Sequence, residues 1–269
     1  IRDVAPSRGH GYVYKRQPGK ENSLSFNKYT TYEYNSSNFL VNKSTVTQTG
    51  HPKEEHTIRY SIDYPNYNDG IFQQNNLVTV PIEESFYTDG VLVKRLHHLH
   101  YKDSYIKPWK EYVHYNKEGY SFPPEFTGNV DQNLGVPELI YSSYSANGQA
   151  VSMQTRQGRS VVLIWGYQGQ HIIAQIDGSS LEEVKSQGIV PDLIASREEP
   201  TEEDWRLLNQ LRSRLPNAQV VTTRYEPLVG IVSQTDARGV TYRYTYDEFN
   251  RLCEVIETGE QELSLIHIS

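Results

Sequence analysis

His97, His98 and His100 fall within "LHHLHY" and are the densest set of metal-ligating side chains in this 269-residue chain. On a strand, His98 and His100 share a face, and His114 could join them from a neighbouring strand. Zinc needs three or four convergent ligands. No cysteine stands nearby and no carboxylate sits at a clear spacing, so the cluster reads as a polar, partly exposed strand face. No metal and no cofactor are assigned. Cys253 is the single cysteine. As a nucleophile it would need a partnered base and a lowered pKa, but an internal repeat aligns it with Ile172, which makes it a small buried hydrophobe. Glu83-Glu84, Glu198-Glu199 and Glu202-Glu203-Asp204 could supply acid–base chemistry only from an apolar pocket. They read as solvated and helix-start charges. Gly-x-Ser-x-Gly, a phosphate loop and His-Glu-x-x-His are all absent from the sequence. No catalytic residue is assigned, and the chain is not read as an enzyme. Trp109, Tyr112 and Tyr115, with Trp165 and Tyr167, could present flat rings to sugars, against the competing reading of core or inter-sheet packing. A polysaccharide hydrolase would need two facing carboxylates about 5–10 Å apart, and the sequence alone singles out no such pair.

The elements that would position these residues are short strands. Tyrosine supplies 21 residues, against 7 phenylalanines and one methionine. Rings that keep a hydroxyl suit shallow, half-exposed sheet layers. "KYTTYEYN" places Tyr32 and Tyr34 on one face, and "TIRYSIDY" does the same for Ile58, Tyr60, Ile62 and Tyr64. "NNLVTVPIEESFYTDGVLVKRLHHLHY" reads as two strands joined at Thr88-Asp89-Gly90, since Asp-Gly favours a tight hairpin turn. "YIKPWKEYVHYN" is a further strand whose Pro108 marks an edge or a bulge. Residues 18–140 form a β-rich region, and 141–178 hold two more strand–turn units. Helical signals concentrate at about 179–215. Ser180 and Glu183 have capping-box spacing, Gly188 ends that short helix, and Thr201 caps "EEDWRLLNQLRSRL". Acidic residues open that second helix and arginines close it. The spacing predicts a helical hairpin laid over a sheet, with strands resuming through 216–262.

The formal charge is −7 without a basic run, which excludes a polyanion-binding surface. One cysteine excludes an internal disulfide framework, and no apolar run approaches the roughly 18–20 residues of a membrane helix. "IRDVAPSRGHGYVYKRQ" lacks the apolar segment of a signal peptide. Both ends have the look of foreign sequence. Residues 1–17 and 263–269 resemble translations of one transposase-end adapter used in preparing DNA libraries. We set them apart as non-native tails and expect the natural protein to continue past both. Without Arg2, Arg8, Lys15, Arg16 and Asp3 the formal charge moves from −7 to −10.

Aligning Gly158 with Gly239 superposes Val161, Leu163 and Trp165 on Tyr242, Tyr244 and Tyr246, and Gly169 on Asn250. Both units read as Gly turn, alternating strand, polar turn, second strand; 32–50 and 141–158 share the plan. The last unit, Asp236-x-x-Gly239-x-x-Tyr242-x-Tyr244-x-Tyr246-Asp247-x-x-Asn250-Arg251-Leu252, resembles the tyrosine–aspartate (YD) repeat of bacterial Rhs proteins. "IWGYQGQHIIAQI" and "LRSRLPNAQVVTTRYEPLVGI" resemble segments that precede this repeat in large surface Rhs-like proteins. The likeness is strong over about 141–257 and looser over 18–140. Ser145 and Gly166 stand where the aspartate is expected in the earlier units.

Physically, alternation puts the three tyrosines on one sheet face, where rings of successive hairpins can stack. Asp247 can accept turn amides, Asn250 tolerates the left-handed conformation, Arg251 can reach back to Asp247, and Leu252 starts the return strand. The resemblance implies a mainly β fold: repeated antiparallel hairpins in a curved, extended sheet, with the helical insertion. It further implies a hollow shell, secreted or at the bacterial surface, that encloses a C-terminal toxin or effector used in competition between bacteria. No Asp-Pro-x-Gly cleavage signature and no toxin occur here. The expected partners are the rest of the same longer chain and the enclosed effector, with no nucleic acid. The alternative is a cell-surface carbohydrate-binding or adhesin module, with surface glycans as partners.

Overall fold

The computed structural model describes residues 11–12, 27–102, 106–258 and 263–267. The chain divides into two compact units, Ile1–Glu138 and Leu139–Ser269. Each is a mainly β meander in which strands pair antiparallel with their sequence neighbours. In the first unit these are β1 (Gly11–Tyr12), β2 (Lys28–Tyr34), β3 (Val41–Gln48), β4 (Glu54–Tyr60), β5 (Pro81–Thr88), β6 (Val91–Lys102) and β7 (Ile106–Tyr115). The β5–β6 turn places Asp89 at φ 48° and Gly90 at φ 77°, the two left-handed residues that a two-residue hairpin demands. Pro108 pairs with His100 where the register shifts, so the proline sits at a bulge.

The strand expected through Tyr64 stops at Tyr60 instead. The Asp63 carboxylate accepts the Tyr60 amide at 2.8 Å, and Ser61–Asp63 form a 3₁₀ turn. That turn sends Tyr64 into a core with Tyr67, Phe72, Ile82, Leu99, Tyr112, Phe126 and Leu134. A one-turn helix, α1 (Ile71–Gln74), follows. Four residues carry too few apolar positions to show a helical period.

The second unit contains β8 (Leu139–Tyr144), β9 (Ala150–Thr155), β10 (Ser160–Gly166) and β11 (His171–Asp177), then α2 (Leu181–Ser186), α3 (Pro191–Ala195) and α4 (Glu202–Arg214). After these come β12 (Gln219–Glu226), β13 (Gly230–Thr235), β14 (Thr241–Tyr246), β15 (Leu252–Thr258) and β16 (Leu263–His267). Residues 263–267, set apart as foreign from the sequence, pair with β15. Residues 1–10, 13–17 and 268–269 of the two tails lie outside the described residues.

The insertion holds three helices rather than a two-helix hairpin, because Pro191 opens the five-residue α3. Ser180 and Glu183 close a capping box on α2, as do Thr201 and Asp204 on α4. Val184, Ile189, Ile194, Trp205, Leu208 and Leu211 pack over Val162, Ile164, Ile173, Ile176 and Val220 of the sheet. Arg212 pins α4 to the next turn. Its guanidinium donates to the Thr235 carbonyl (2.9 Å), the Asp236 carbonyl (3.0 Å) and Thr222 Oγ1 (2.9 Å).

Candidate functional site

The YD segment is two turns and a strand. In the β14–β15 turn, Asp247 Oδ1 accepts the amides of Phe249 and Arg251, both at 2.9 Å, and Oδ2 accepts Arg251 Nε at 2.7 Å. Asn250 takes φ 58°. These bonds favour the ionised carboxylate, and the Arg251 amide leads in holding its pKa below the ordinary value. The turn before β14 repeats this chemistry. Asp236 Oδ1 accepts the amides of Arg238 and Val240 at 2.9 Å, and Gly239 takes φ 91°. Ser145 closes the same five-residue turn by backbone bonds with Gln149 and Gly148, but its hydroxyl accepts only the Gln149 amide, at 3.2 Å. Gly166 departs from the pattern for a packing reason. A Cβ there would lie 2.9 Å from both Ile173 and Pro200, the latter part of the helical insertion.

Tyr242, Tyr244 and Tyr246 occupy alternate positions and are half-buried, while Arg243 and Thr245 between them are exposed. Among the described residues they form no ring–ring stack. Tyr246 does something else. The register shifts between Thr245 and Tyr246, and the Tyr246 hydroxyl donates to the Ile231 carbonyl at 2.8 Å. The ladder joining β13 to β14 ends at Ser233–Arg243. The side chain therefore serves a carbonyl that the inter-hairpin ladder no longer reaches.

The same device recurs twice. Trp165 follows a shift after Ile164, and its indole N–H donates to the Ala150 carbonyl at 2.7 Å, beyond the last β9–β10 pair, Val162–Ser152. Tyr60 follows a shift after Arg59, and its hydroxyl donates to the Val41 carbonyl at 2.8 Å, beyond the last β3–β4 pair, Lys43–Thr57. In each case the acceptor belongs to the preceding hairpin. Tyr225 also follows a shift, but its ring stacks on His171 with centroids 4.4 Å apart. Tyr167 Oη meanwhile donates to the Tyr225 carbonyl at 2.7 Å. These aromatics clamp adjacent hairpins together.

The histidines do not converge on one point. His97 is fully buried with Nε2 3.0 Å from Glu83 Oε2, whereas His98 Nε2 lies 3.1 Å from Glu84 Oε1. His56 approaches the other Glu84 oxygen at 2.7 Å. Both contacts hold Glu84 near pKa 2, the hydrogen bond from His56 leading. His100, past the bulge, packs edge-on to Phe72, and His114 Nδ1 lies 2.7 Å from the Tyr120 hydroxyl. Among the described residues no group of three or more His, Cys, Asp or Glu side chains is placed to hold a metal ion.

Glu83 was read as solvated and is instead buried, because the segment before β8 crosses over it. Its Oε2 accepts the Phe126 amide at 2.8 Å, and Arg95 donates to the Pro123 carbonyl at 3.1 Å. Burial alone would raise the Glu83 pKa, but His97, the Phe126 amide and Arg95 outweigh it and hold the pKa below the ordinary value. The cluster anchors a covering segment. Nothing in the sequence near Glu83 signals that cover.

Cys253 is half-buried, with Sγ 3.4 Å from the Arg251 carbonyl. Of the proposed sugar platform, Tyr112 and Tyr167 are buried, and Trp165 serves as a clamp. Trp109 lines a cavity of about 460 Å³ in the first unit.

A family model described as RHS Repeat matches residues 230–261. Among solved structures, the chain is similar to TcdB2-TccC3 without its hypervariable C-terminal region, at 10% identity and TM-score 0.37, covering 90% of this chain and 12% of that chain. It is also similar to TcdB2-TccC3, at 12% identity and TM-score 0.35, with 90% and 12% covered. The chain thus spans about 12% of the length of the solved chains it matches. No curated protein matches. The segment matched by the RHS Repeat model, residues 230–261, holds both aspartate turns and the Tyr246 clamp.

Proposed function

We propose that this chain is a stretch of wall from a larger Rhs/YD-repeat shell, one that encloses or presents a C-terminal toxin or effector and performs no catalysis itself. The observation that carries this reading is the recurring clamp. Tyr60, Trp165 and Tyr246 each seal a carbonyl of the preceding hairpin. Such a module gains by being repeated, because each copy completes its neighbour. The family match supports a structural role. The partners are then the remainder of the same polypeptide and its enclosed effector, in a secreted or surface-attached bacterial protein.

Long-read sequencing of the source DNA across this gene tests the reading. We expect the frame to continue past Glu262 into further YD repeats and a variable C-terminal region. A frame that stops near residue 262, with a signal peptide upstream of residue 18, overturns it.

A further inference from the structure

Asn-x-Ser, the spacing of an N-glycosylation acceptor, occurs twice in the chain, as Asn35-Ser36-Ser37 and Asn42-Lys43-Ser44. The fold treats the two differently. An enzyme that glycosylates asparagine draws the acceptor and the residues beside it into its own groove, so that segment must be able to leave its neighbours. Asn42 lies in β3, where Lys43 pairs with Glu33 on one side and Thr57 on the other, and Ser44 pairs with Tyr32 and His56. Freeing that segment breaks two ladders. Asn35 instead opens the turn 35–40. Its amide donates to the Leu40 carbonyl and its carbonyl accepts the Phe39 amide, each at 2.9 Å. Ser36 and Ser37 are exposed. Among the described residues β1 pairs with β2 only at Tyr29 and Thr30, so its ladder ends before Glu33 and the turn.

The acceptor atoms are also presented. Asn35 Oδ1 accepts the Ser37 amide at 2.8 Å, an Asx turn that folds the third residue back beside the carboxamide. Among the described residues, Asn35 Nδ2 and the Ser37 hydroxyl make no hydrogen bond. An amide nitrogen shares its lone pair with the carbonyl and is a weak nucleophile, so the enzyme must hold it firmly, and the Ser37 hydroxyl is the handle. Glu33 stands two residues before Asn35, and its side chain is 66% exposed with Lys43 Nζ 3.7 Å away. So loose a surface pair is worth little, and the carboxylate can turn to a basic side chain of the enzyme. Leu40 holds the equivalent place before Asn42.

We propose that Asn35 is an N-glycan acceptor, modified by an oligosaccharyltransferase that uses a polyprenyl-diphosphate-linked oligosaccharide. The bond from Asn35 Nδ2 to the sugar C1 forms as the C1–O bond to the diphosphate breaks. The lipid diphosphate leaves with the electron pair, and Nδ2 gives one proton to a base of the enzyme. The proposal rests on the secreted or surface reading only for the meeting of chain and enzyme.

The test removes that dependence. The full chain is incubated with a purified single-subunit bacterial oligosaccharyltransferase and its polyprenyl-diphosphate-linked oligosaccharide, and its intact mass is read. The expected result is one added glycan, mapped to Asn35 by peptide mass spectrometry. Asn35→Gln should abolish the addition, as should Ser37→Ala. Glu33→Gln should slow it about tenfold, the worth of one charge-assisted hydrogen bond. Asn42→Gln should leave it unchanged. A folded chain left unmodified, under conditions that modify a peptide of residues 31–40, overturns the proposal by showing that the turn is closed to the enzyme. A peptide left unmodified as well overturns the acceptor assignment itself. Glycan on Asn42, or addition that survives Asn35→Gln, overturns it too. None of these outcomes bears on whether the reading frame continues past Glu262.

Discussion

Tyr246→Phe isolates the inter-hairpin clamp. The ring stays and the hydroxyl that donates to the Ile231 carbonyl at 2.8 Å is removed. Tyr246 and Ile231 are both half-buried, so water replaces the donor in part. The expected loss is about 1 kcal/mol. For a unit of this size that lowers Tm by roughly 3–5 °C. Gly230 supplies an internal control. It has φ 144°, and a Cβ there would lie 3.1 Å from the Tyr246 hydroxyl. Gly230→Ala should therefore destabilise through both backbone strain and crowding. In the Tyr246→Phe background the crowding is gone, so the double variant should lose less than the sum of the singles, by about 0.5 kcal/mol. Urea and thermal unfolding can be followed by Trp165 and Trp205, which both report on the second unit, with Trp109→Phe silencing the first. Tyr60→Phe makes the parallel test there, read by Trp109. Two outcomes refute the clamp: a Tyr246→Phe chain that unfolds together with the parent, or losses that are strictly additive.

Glu83→Ala should cost about 3 kcal/mol, because it strands His97 and the Phe126 amide where water hardly reaches. Hydrogen exchange at Phe126 should speed up with it, and an unchanged rate would show that the covering segment is held elsewhere. Arg212→Met should cost about 2 kcal/mol by taking the guanidinium from the Thr235 and Asp236 carbonyls, of which the latter keeps the Gly239 amide; an unmoved urea midpoint contradicts the anchoring role. The His100 pKa is depressed from 6.5 to about 4 by burial. The stabilisation of the neutral ring is thus fully present above pH 6.5 and lost as pH falls through 4. The loss amounts to about 3 kcal/mol. His100→Gln should remove that part of the acid sensitivity, and equal pH slopes for the two chains would contradict it.

What could be read from the sequence acts over short range. Asp247 bonds amides two and four residues on, and Ser180 and Thr201 cap helices that begin at the next residue. Such side chains work on their own backbone, so spacing alone reveals them. Alternation and Asp-Gly turns gave the mainly β meander for the same reason. The clamps escaped notice because each joins residues of separate hairpins, as Tyr246 joins Ile231, and because a one-residue bulge precedes each ring. Bulges leave no compositional mark. Glu83 was misread because its burial depends on a segment some forty residues away crossing over it. Asn68 and Asn129, which line the cavity beside Trp109, come from loops that carry no periodic signal.

The Tyr60, Trp165 and Tyr246 clamps run in one direction, with the donor in the later hairpin and the acceptor in the earlier one, while Tyr167, which donates to the Tyr225 carbonyl, runs the other way. At those three positions the ribosome delivers the acceptor first. There each new hairpin meets a finished edge bearing a carbonyl that awaits its ring, so assembly can proceed as the chain emerges, without any strand waiting for a distant partner. This polarity favours addition at the C-terminal edge and gives the growing sheet a time order written into its side chains.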